Sequence, residues 1–261
     1  ESEVNFPRNH PLFRGSLGHM YDSSGRELLK DADFVIAVGT PIYQTVFNSK
    51  MSLFQSGVPI AAINQDLETT LRGHNDITLP IKGDPKRILG MLLDVLGSKQ
   101  TVEQVTKARF RVQIRQNQKE SALRLRRENQ LAQPGVTMAK FAYLLEQRMK
   151  DLPKRPIIFN EALEGSVGLM DHIDNVNIPG KYFDTSGGSL GEWAGAVGAA
   201  MISGHTIAFI GDGGFNYAPQ ALWNAARENL PLGLVVANNA KYGLLYSNMN
   251  PQEQEKIYNE V

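Results

Sequence analysis

A carboxylate and a pair of amides follow two apolar runs near the end of the chain. Asp212 lies in the segment Gly211-Asp-Gly-Gly214 and directly follows the run Thr206–Ile210. Asn238-Asn239 directly follows the next run, Leu232–Ala237. Carboxylate, amide and carbonyl oxygens are hard ligands of the kind that Mg²⁺ prefers, and glycines let backbone N–H groups approach an anion. Together the segments predict a site for Mg²⁺ and a phosphate group, although each alone is also typical of an ordinary turn.

The elements between these two segments must bring them to one place. A helix is expected at Pro219–Asn229, so one strand–helix–strand step separates the two apolar runs. Parallel strands joined in this way end at the same edge of a sheet, and open α/β sheets bind their ligands at the carboxyl ends of the strands. The carboxylate and the amide are therefore expected to be neighbours.

The same alternation of strand and helix patterns covers most of the chain and predicts an α/β fold with two doubly wound, parallel-sheet domains. Asp84 is the expected N-cap of one helix, Arg87–Leu96. Gln133-Pro-Gly135 marks the expected domain boundary. The predicted divisions are a Rossmann-like domain at 1–98, an interdomain helix and linker at 99–134, and a second domain at 135–261. The other expected strands are Asp31–Gly39, Val58–Asn64, Asp76–Ile81, Pro156–Asn160 and Tyr182–Asp184. The other expected helices are Thr137–Met149 and Gly191–Ile202.

Composition excludes several classes of function. Lys and Arg together number 27, as do Asp and Glu, so no net charge attracts nucleic acid or an anionic membrane. The absence of cysteine excludes disulfides and thiolate chemistry and fits a cytoplasmic protein, and no apolar run is long enough to span a membrane. The basic stretch 99–130 has two interpretations, a solvated interdomain helix or a nucleic-acid arm. The first is favoured because few aromatic residues interrupt it.

The spacing from Gly-Asp-Gly to Asn-Asn resembles the signature of thiamine-diphosphate enzymes. The resemblance implies that Asp212, the side chain of Asn239 and the main-chain oxygen of Lys241 bind Mg²⁺. It also implies thiamine diphosphate as the cofactor. Gly213, Gly214 and Tyr217 are then expected to contact its diphosphate, and Gly211, Asn239 and Tyr242 are also expected to bind the cofactor.

A second segment, Ser186-Gly-Gly-Ser-Leu-Gly191, resembles the loop that holds the aminopyrimidine end of the cofactor in this family. There Gly187 is implied to contact the cofactor and Gly188 to offer its carbonyl to the 4′-amino group. Leu190 corresponds to the bulky residue that wedges between the two rings and enforces a bent cofactor. From the residues alone, Leu190 could equally be a core leucine at the start of a helix.

Within these enzymes the chain is most similar to the benzoylformate decarboxylase and acetolactate synthase family. The stretches that carry the resemblance are Phe6–Gly15, Val38–Pro41, Asn160-Glu161, Gly211–Tyr217 and Ala221–Ala226. It implies a middle domain followed by a diphosphate-binding domain, and a homodimer or homotetramer formed through the cofactor interface. The family's activating glutamate belongs to an N-terminal pyrimidine-binding domain. We expect that domain to lie outside this chain, the second domain to be incomplete, and the fragment alone to be inactive.

The chain departs from the family pattern at positions that select the substrate. An active-site histidine corresponds to Val46 and a phenylalanine to Asn248, while two hydroxyl residues that touch the diphosphate correspond to Leu163 and Glu164. The resemblance thus favours a decarboxylase of a small 2-oxo acid. An acetolactate synthase-like carboligase and a catalytically silent binding module stay open, as do the identity of the 2-oxo acid and flavin binding by the middle domain.

Overall fold

A computed structural model describes residues 4–15, 23–40, 54–71, 77–185 and 191–244. Contacts divide the chain into two units, one of Arg14–Arg115 and one that combines Glu1–Phe13 with Gln116–Val261. We call these the first and the second unit. The residues Val46, Gly187, Gly188, Leu190 and Asn248, for which the sequence suggested roles, lie outside the described part.

The first unit contains a parallel three-stranded sheet in the order β1-β2-β3. The central strand β2 is buried because it pairs on both sides, whereas Ile36 in β1 is 45% exposed. The prediction of parallel strands is confirmed. The elements are α1 (Ser23–Leu29), β1 (Val35–Val38), β2 (Ile60–Asn64), α2 (Leu67–Leu71), β3 (Leu79–Lys82) and α3 (Pro85–Lys99).

Two long helices begin at side-chain caps that the sequence provides. The Asp84 carboxylate accepts the N–H of Arg87 at 2.8 Å and starts α3, as predicted. Helix α4 (Val102–Ala132) starts with a reciprocal cap, since Gln104 donates its N–H to the Thr101 hydroxyl and accepts the Thr101 N–H. Helix α4 buries no side chain. The two units divide within it, between Arg115 and Gln116, so the domain limits at 98 and 134 stay a prediction. Nowhere in the described ranges is a helix both long and apolar enough to cross a membrane.

The second unit is built on a parallel four-stranded sheet in the order β5-β4-β6-β7. After β4 the chain adds β5 on one side, and after β6 it adds β7 on the other. The strand order therefore reverses between β4 and β6, which is where sheets of this kind open a crevice for a ligand. The α/β class is confirmed. The elements are α5 (Met138–Lys150), β4 (Ile157–Glu161), α6 (Leu169–His172), β5 (Tyr182–Asp184), α7 (Gly195–Ser203), β6 (Thr206–Gly211), α8 (Asp212–Phe215), α9 (Ala221–Arg227) and β7 (Leu232–Ala237).

One face of this sheet packs on a segment for which the sequence predicted no regular structure. Short 3₁₀ helices at Leu163–Ser166 and Asp174–Asn177 flank α6. Apolar side chains from this segment, among them Leu169 and Ile173, are buried with Phe209 of β6. The core of the second unit is thus completed by short turns of helix after β4.

A buried ion pair joins α5 to the start of β4. The guanidinium of Arg155 donates to both carboxylate oxygens of Glu146, at 2.7 and 2.8 Å, and to the side-chain oxygen of Asn175 at 2.8 Å. Glu146 also accepts the N–H of Asp174 at 3.1 Å and is only 4% exposed. Burial raises the pKa of Glu146, but the hydrogen bonds from Arg155 and Asp174 outweigh it and hold the pKa below its ordinary value.

Replacing Glu146 with Ala should lower the free energy of unfolding by about 3–5 kcal/mol, because the Arg155 guanidinium would stay largely buried without its carboxylate. Urea unfolding followed by circular dichroism measures this loss. Glu228→Ala is the control, since its ion pair with Arg227 is more than half exposed and 3.5 Å long, and it should change stability by less than about 1 kcal/mol. Equal effects of the two substitutions would contradict the assignment.

The same pair predicts a pH dependence. A carboxylate whose pKa is lowered on folding contributes stability above its unfolded pKa and loses it as the pH falls through the folded value. Below about pH 4 the urea midpoint of the wild type should therefore fall more steeply than that of Glu146→Gln, which cannot titrate. Parallel pH profiles of the two proteins would show that protonation of Glu146 does not cause the loss of stability at low pH.

Candidate functional site

The carboxyl ends of β6 and β7 bring the predicted magnesium ligands to one edge of the sheet. In this register Gly211 pairs with Ala237, so Asp212 and Asn238 each follow the last paired residue of their strand. The sequence spacing predicted this juxtaposition, and the parallel pairing produces it.

Glycines after β6 let neighbouring side chains pack against the backbone. Asp212 begins the single-turn helix α8 and is half-buried. A Cβ atom on Gly213 would lie 3.1 Å from the ring of Tyr242, and one on Gly214 would lie 2.8 Å from the end of the Ile210 side chain. Tyr242 therefore packs over Gly213, and this contact joins the turn after β6 to the turn after β7.

Two asparagine side chains form hydrogen bonds within the turn that follows β7, residues 238–243, which we call the asparagine turn. The side-chain oxygen of Asn238 accepts the N–H of Ala240 at 2.9 Å, and that of Asn239 accepts the N–H of Lys241 at 3.1 Å. The main-chain oxygen of Lys241 accepts the N–H of Gly243 at 2.9 Å. A carbonyl oxygen has two lone pairs, so an oxygen that accepts one hydrogen bond can also bind a metal ion.

This donor set fits a magnesium ion that shares a diphosphate. Across the described ranges, no three His, Cys, Asp or Glu side chains cluster in a way that could hold a metal. The edge of the sheet instead offers one carboxylate, one amide oxygen and one carbonyl oxygen, from Asp212, Asn239 and Lys241. Magnesium prefers six oxygens and usually takes several from water and phosphates, so three protein ligands leave room for both.

Glu164 lies close to this turn. A Cβ atom on Gly243 would lie 2.5 Å from a carboxylate oxygen of Glu164 and 3.0 Å from the side-chain nitrogen of Asn239. The 3₁₀ helix after β4 thus directs a negative charge toward the residues predicted to bind Mg²⁺. Glu164 is one of the two positions where the resemblance led us to expect a hydroxyl residue, and it lies beside the candidate site.

Two side chains at this end of the sheet, those of Glu161 and Trp193, were not assigned to the site from the sequence. The Glu161 carboxylate accepts the N–H groups of Gly191 and Trp193, both at 2.6 Å. Burial raises its pKa and the like charge of Glu192 adds to this, although the two backbone hydrogen bonds oppose the shift. Trp193 stacks on Phe215 of α8, with ring centroids 5.7 Å apart. The Asn160-Glu161 motif was noted for its resemblance alone, and an acidic residue at a buried strand end could have pointed to such a role.

Tyr217 also lies near Gly191, where the described chain resumes after residue 185. It is 58% exposed, and its Cβ atom would be 3.1 Å from a Cβ on Gly191, which has a left-handed φ of 91°. Gly191 is therefore constrained both by its φ angle and by its neighbour. The structure thus brings Gly191, Tyr217 and the glycines of α8 to the same end of the sheet.

Two family models match the chain. Residues 3–92 match the central domain of thiamine pyrophosphate enzymes, and residues 166–261 match their C-terminal TPP binding domain. Thiamine pyrophosphate is another name for thiamine diphosphate. The chain belongs to the thiamine pyrophosphate-dependent enzymes.

Curated relatives of this family are similar at low identity. The chain is 26% identical over 247 residues to benzoylformate decarboxylase of Pseudomonas aeruginosa, covering 94% of this chain and 42% of that protein. It is 24% identical over 261 residues to a protein of Methanocaldococcus jannaschii named "Probable acetolactate synthase large subunit", covering 97% of this chain and 43% of that protein. The chain therefore spans less than half the length of these relatives.

Solved structures of thiamine pyrophosphate-dependent enzymes share the fold. The 4-hydroxybenzoylformate decarboxylase of Rhodococcus jostii superposes with a TM-score of 0.66 at 21% identity, over 96% of this chain and 45% of that one. Benzoylformate decarboxylase of Polynucleobacter necessarius gives a TM-score of 0.68 at 20% identity, over 94% of this chain and 43% of that one. The recognition of the family from its motifs is confirmed.

Replacing Gly243 with Ala should weaken the Mg²⁺-dependent binding of thiamine diphosphate about tenfold or more, because the added methyl group displaces Asn239 or Glu164. Calorimetric titration measures the affinity. Gly198→Ala in α7 is the matched control, since nothing lies within 4 Å of its Cβ position. It should stabilise the helix by about 0.5–1 kcal/mol and leave the affinity unchanged. Wild-type affinity in Gly243→Ala would show that Asn239 is not held by this packing.

Proposed function

We propose that the protein containing this chain is a thiamine-diphosphate- and Mg²⁺-dependent decarboxylase of a 2-oxo acid. The observation that carries the proposal is the pairing of Gly211 with Ala237, which places Asp212 beside the asparagine turn at the carboxyl edge of the sheet. Membership of the thiamine pyrophosphate-dependent enzymes supports the cofactor. The similarity to benzoylformate decarboxylase supports the decarboxylase branch.

In this proposal the ends of β6 and β7 hold the metal and the diphosphate. Asp212, the side chain of Asn239 and the main-chain oxygen of Lys241 bind Mg²⁺, which balances the negative charge of the diphosphate. The glycines after β6 let backbone N–H groups approach the phosphate oxygens, and Tyr242 closes the turn over Gly213. The remaining proposed contacts of the diphosphate are Gly211, Gly214 and Tyr217.

The aminopyrimidine end is assigned to the segment before Gly191. Gly187 and Gly188 contact this end, and Leu190 supports the bent form of the cofactor. When bound, the cofactor supplies the nucleophilic carbon and the electron sink that decarboxylation of a 2-oxo acid needs. The protein holds both ends of the cofactor in a fixed relation and shields the reacting centre from water.

Two alternatives are favoured by particular observations. The similarity to the acetolactate synthase-like protein at 24% identity supports a carboligase that joins two oxo acids. The carboxylate of Glu164 lies beside the asparagine turn, where it would repel a diphosphate, and this supports a binding module that kept the fold without catalysis. In every case we expect a small-molecule ligand, a homodimer or homotetramer formed through the cofactor interface, no nucleic-acid partner, and a cytoplasmic location.

Asp212→Ala should abolish saturable binding of thiamine diphosphate, because the substitution removes the one carboxylate of the proposed metal site. Calorimetric titration of the intact protein with and without Mg²⁺ measures this. Asp94→Ala, at an exposed position in α3, is the control and should bind like the wild type. Unchanged affinity in Asp212→Ala would refute the site, and binding by the wild type without Mg²⁺ would refute the role of the metal.

Leu190→Ala should leave the affinity for the cofactor largely intact and slow CO₂ release from the 2-oxo acid that the wild type accepts. The physical reason is that a smaller side chain supports the bent cofactor less well. A coupled assay of CO₂ release across aromatic and aliphatic 2-oxo acids measures the rate. An unchanged rate would overturn the wedge role, and a wild type that binds the cofactor but acts on none of the acids would favour the silent module.

A further inference from the structure

Glu161 is a buried carboxylate at the point where the strand order reverses. It is the last residue of β4, it pairs with Ile210 of β6, and it is only 3% exposed. A carboxylate is costly to bury unless hydrogen bonds satisfy its oxygens. Its partners therefore show what keeps it there.

Both oxygens of Glu161 bind the backbone where the chain returns from the segment 186–190. One accepts the N–H of Gly191 and the other that of Trp193, each at 2.6 Å. Gly191 precedes the 3₁₀ helix Glu192–Ala194, which runs into α7, and its own residue type offers no side-chain cap. The carboxylate from β4 thus satisfies N–H groups that the start of this helix leaves without partners.

The same carboxylate adjoins the turn after β6. A Cβ atom on Gly214 would lie 3.7 Å from the Glu161 oxygen that binds Gly191. Trp193, which donates to the other oxygen, stacks on Phe215 of α8. Glu161 therefore accepts a hydrogen bond from the last residue of one segment assigned to the cofactor and lies beside the other.

We infer that Glu161 is a positioning residue that holds the chain at Gly191 and Trp193 in a fixed relation to the turn after β6. Gly191 ends the segment assigned to the aminopyrimidine end, and the turn after β6 is assigned to the diphosphate. The inference rests on the proposed function, because it assigns the two segments to the two ends of one cofactor.

The competing role for Glu161 is that of a purely structural cap for the helix. A structural cap affects the stability of the protein and leaves the affinity of the folded protein for its cofactor unchanged. Thr137 provides the comparison, because its hydroxyl caps α5 by accepting the N–H of Lys140 at 3.3 Å. That cap lies before β4 in the chain and touches none of the residues assigned to the cofactor.

The test compares Glu161→Gln, Glu161→Ala and Thr137→Ala in the intact protein. Each variant is titrated with thiamine diphosphate and Mg²⁺ by calorimetry, and its melting temperature is measured without cofactor. Glutamine keeps one acceptor oxygen but sets an NH₂ group against the second N–H, whereas alanine removes both acceptors. The affinity should fall about tenfold in Glu161→Gln and about 100-fold in Glu161→Ala, while Thr137→Ala melts earlier and binds like the wild type.

A second readout follows the surroundings of Trp193, whose backbone N–H binds Glu161. Trp193 and Trp223 are the two tryptophans of this chain, so replacing Trp223 and every tryptophan in the rest of the intact protein with Phe leaves Trp193 as the reporter. Its emission should change when the cofactor binds, and Glu161→Gln in this background should reduce the change at saturation. If Glu161→Ala does not fold, Glu161→Gln carries the comparison.

The outcomes separate the inference from the function on which it rests. Wild-type affinity in folded Glu161 variants, with Asp212→Ala still unable to bind, would overturn the positioning role and leave the proposed function standing. A wild type that does not bind the cofactor would overturn both. Graded loss of affinity in the Glu161 variants together with wild-type affinity in Thr137→Ala would support the inference.

Discussion

The parallel pairing of β6 with β4 on one side and β7 on the other is the constraint on which the second unit depends. It sets the carboxyl ends of three strands side by side, so Glu161, Asp212 and the asparagine turn come to one edge although they are far apart in sequence. The reversal of strand order between β4 and β6 opens that edge. The short helices after β4 bury side chains of one face of the sheet, and the first of them also brings Glu164 to this edge.

Side chains pack closely against two glycines at this edge of the sheet. Gly213 and Gly243 each stand where a methyl group would meet a neighbouring side chain, the ring of Tyr242 in one case and the carboxylate of Glu164 in the other. Such contacts join adjacent turns, so we expect the site to be sensitive to small substitutions. Two carboxylates at this edge have different partners. Asp212 is the single carboxylate among the proposed metal ligands, whereas the oxygens of Glu161 accept backbone N–H groups.

Local signals in the sequence predicted the parts of the structure that local interactions decide. Apolar runs located the strands of the second sheet, and Asp84 was recognised as a cap because its partner is three residues away. The contacts of Glu161 and of Glu146 join residues distant in sequence, and no spacing rule indicates which N–H or guanidinium a buried carboxylate will meet. The segment after β4 was missed for a related reason, since its single turns of helix are too short to show a period. The site assignments themselves stay predictions, because they depend on a resemblance and on a ligand.

The central claim is that a metal held by Asp212 and the asparagine turn directly contacts the diphosphate of the cofactor. ³¹P NMR of thiamine diphosphate bound to the intact protein, with Mn²⁺ replacing Mg²⁺, tests this contact directly. Manganese accepts the same oxygen ligands as magnesium, and its unpaired electrons broaden the signals of nearby phosphorus nuclei. The account predicts strong broadening of both phosphorus signals of the bound cofactor. Sharp signals from a cofactor that is bound in the presence of Mn²⁺ would contradict it.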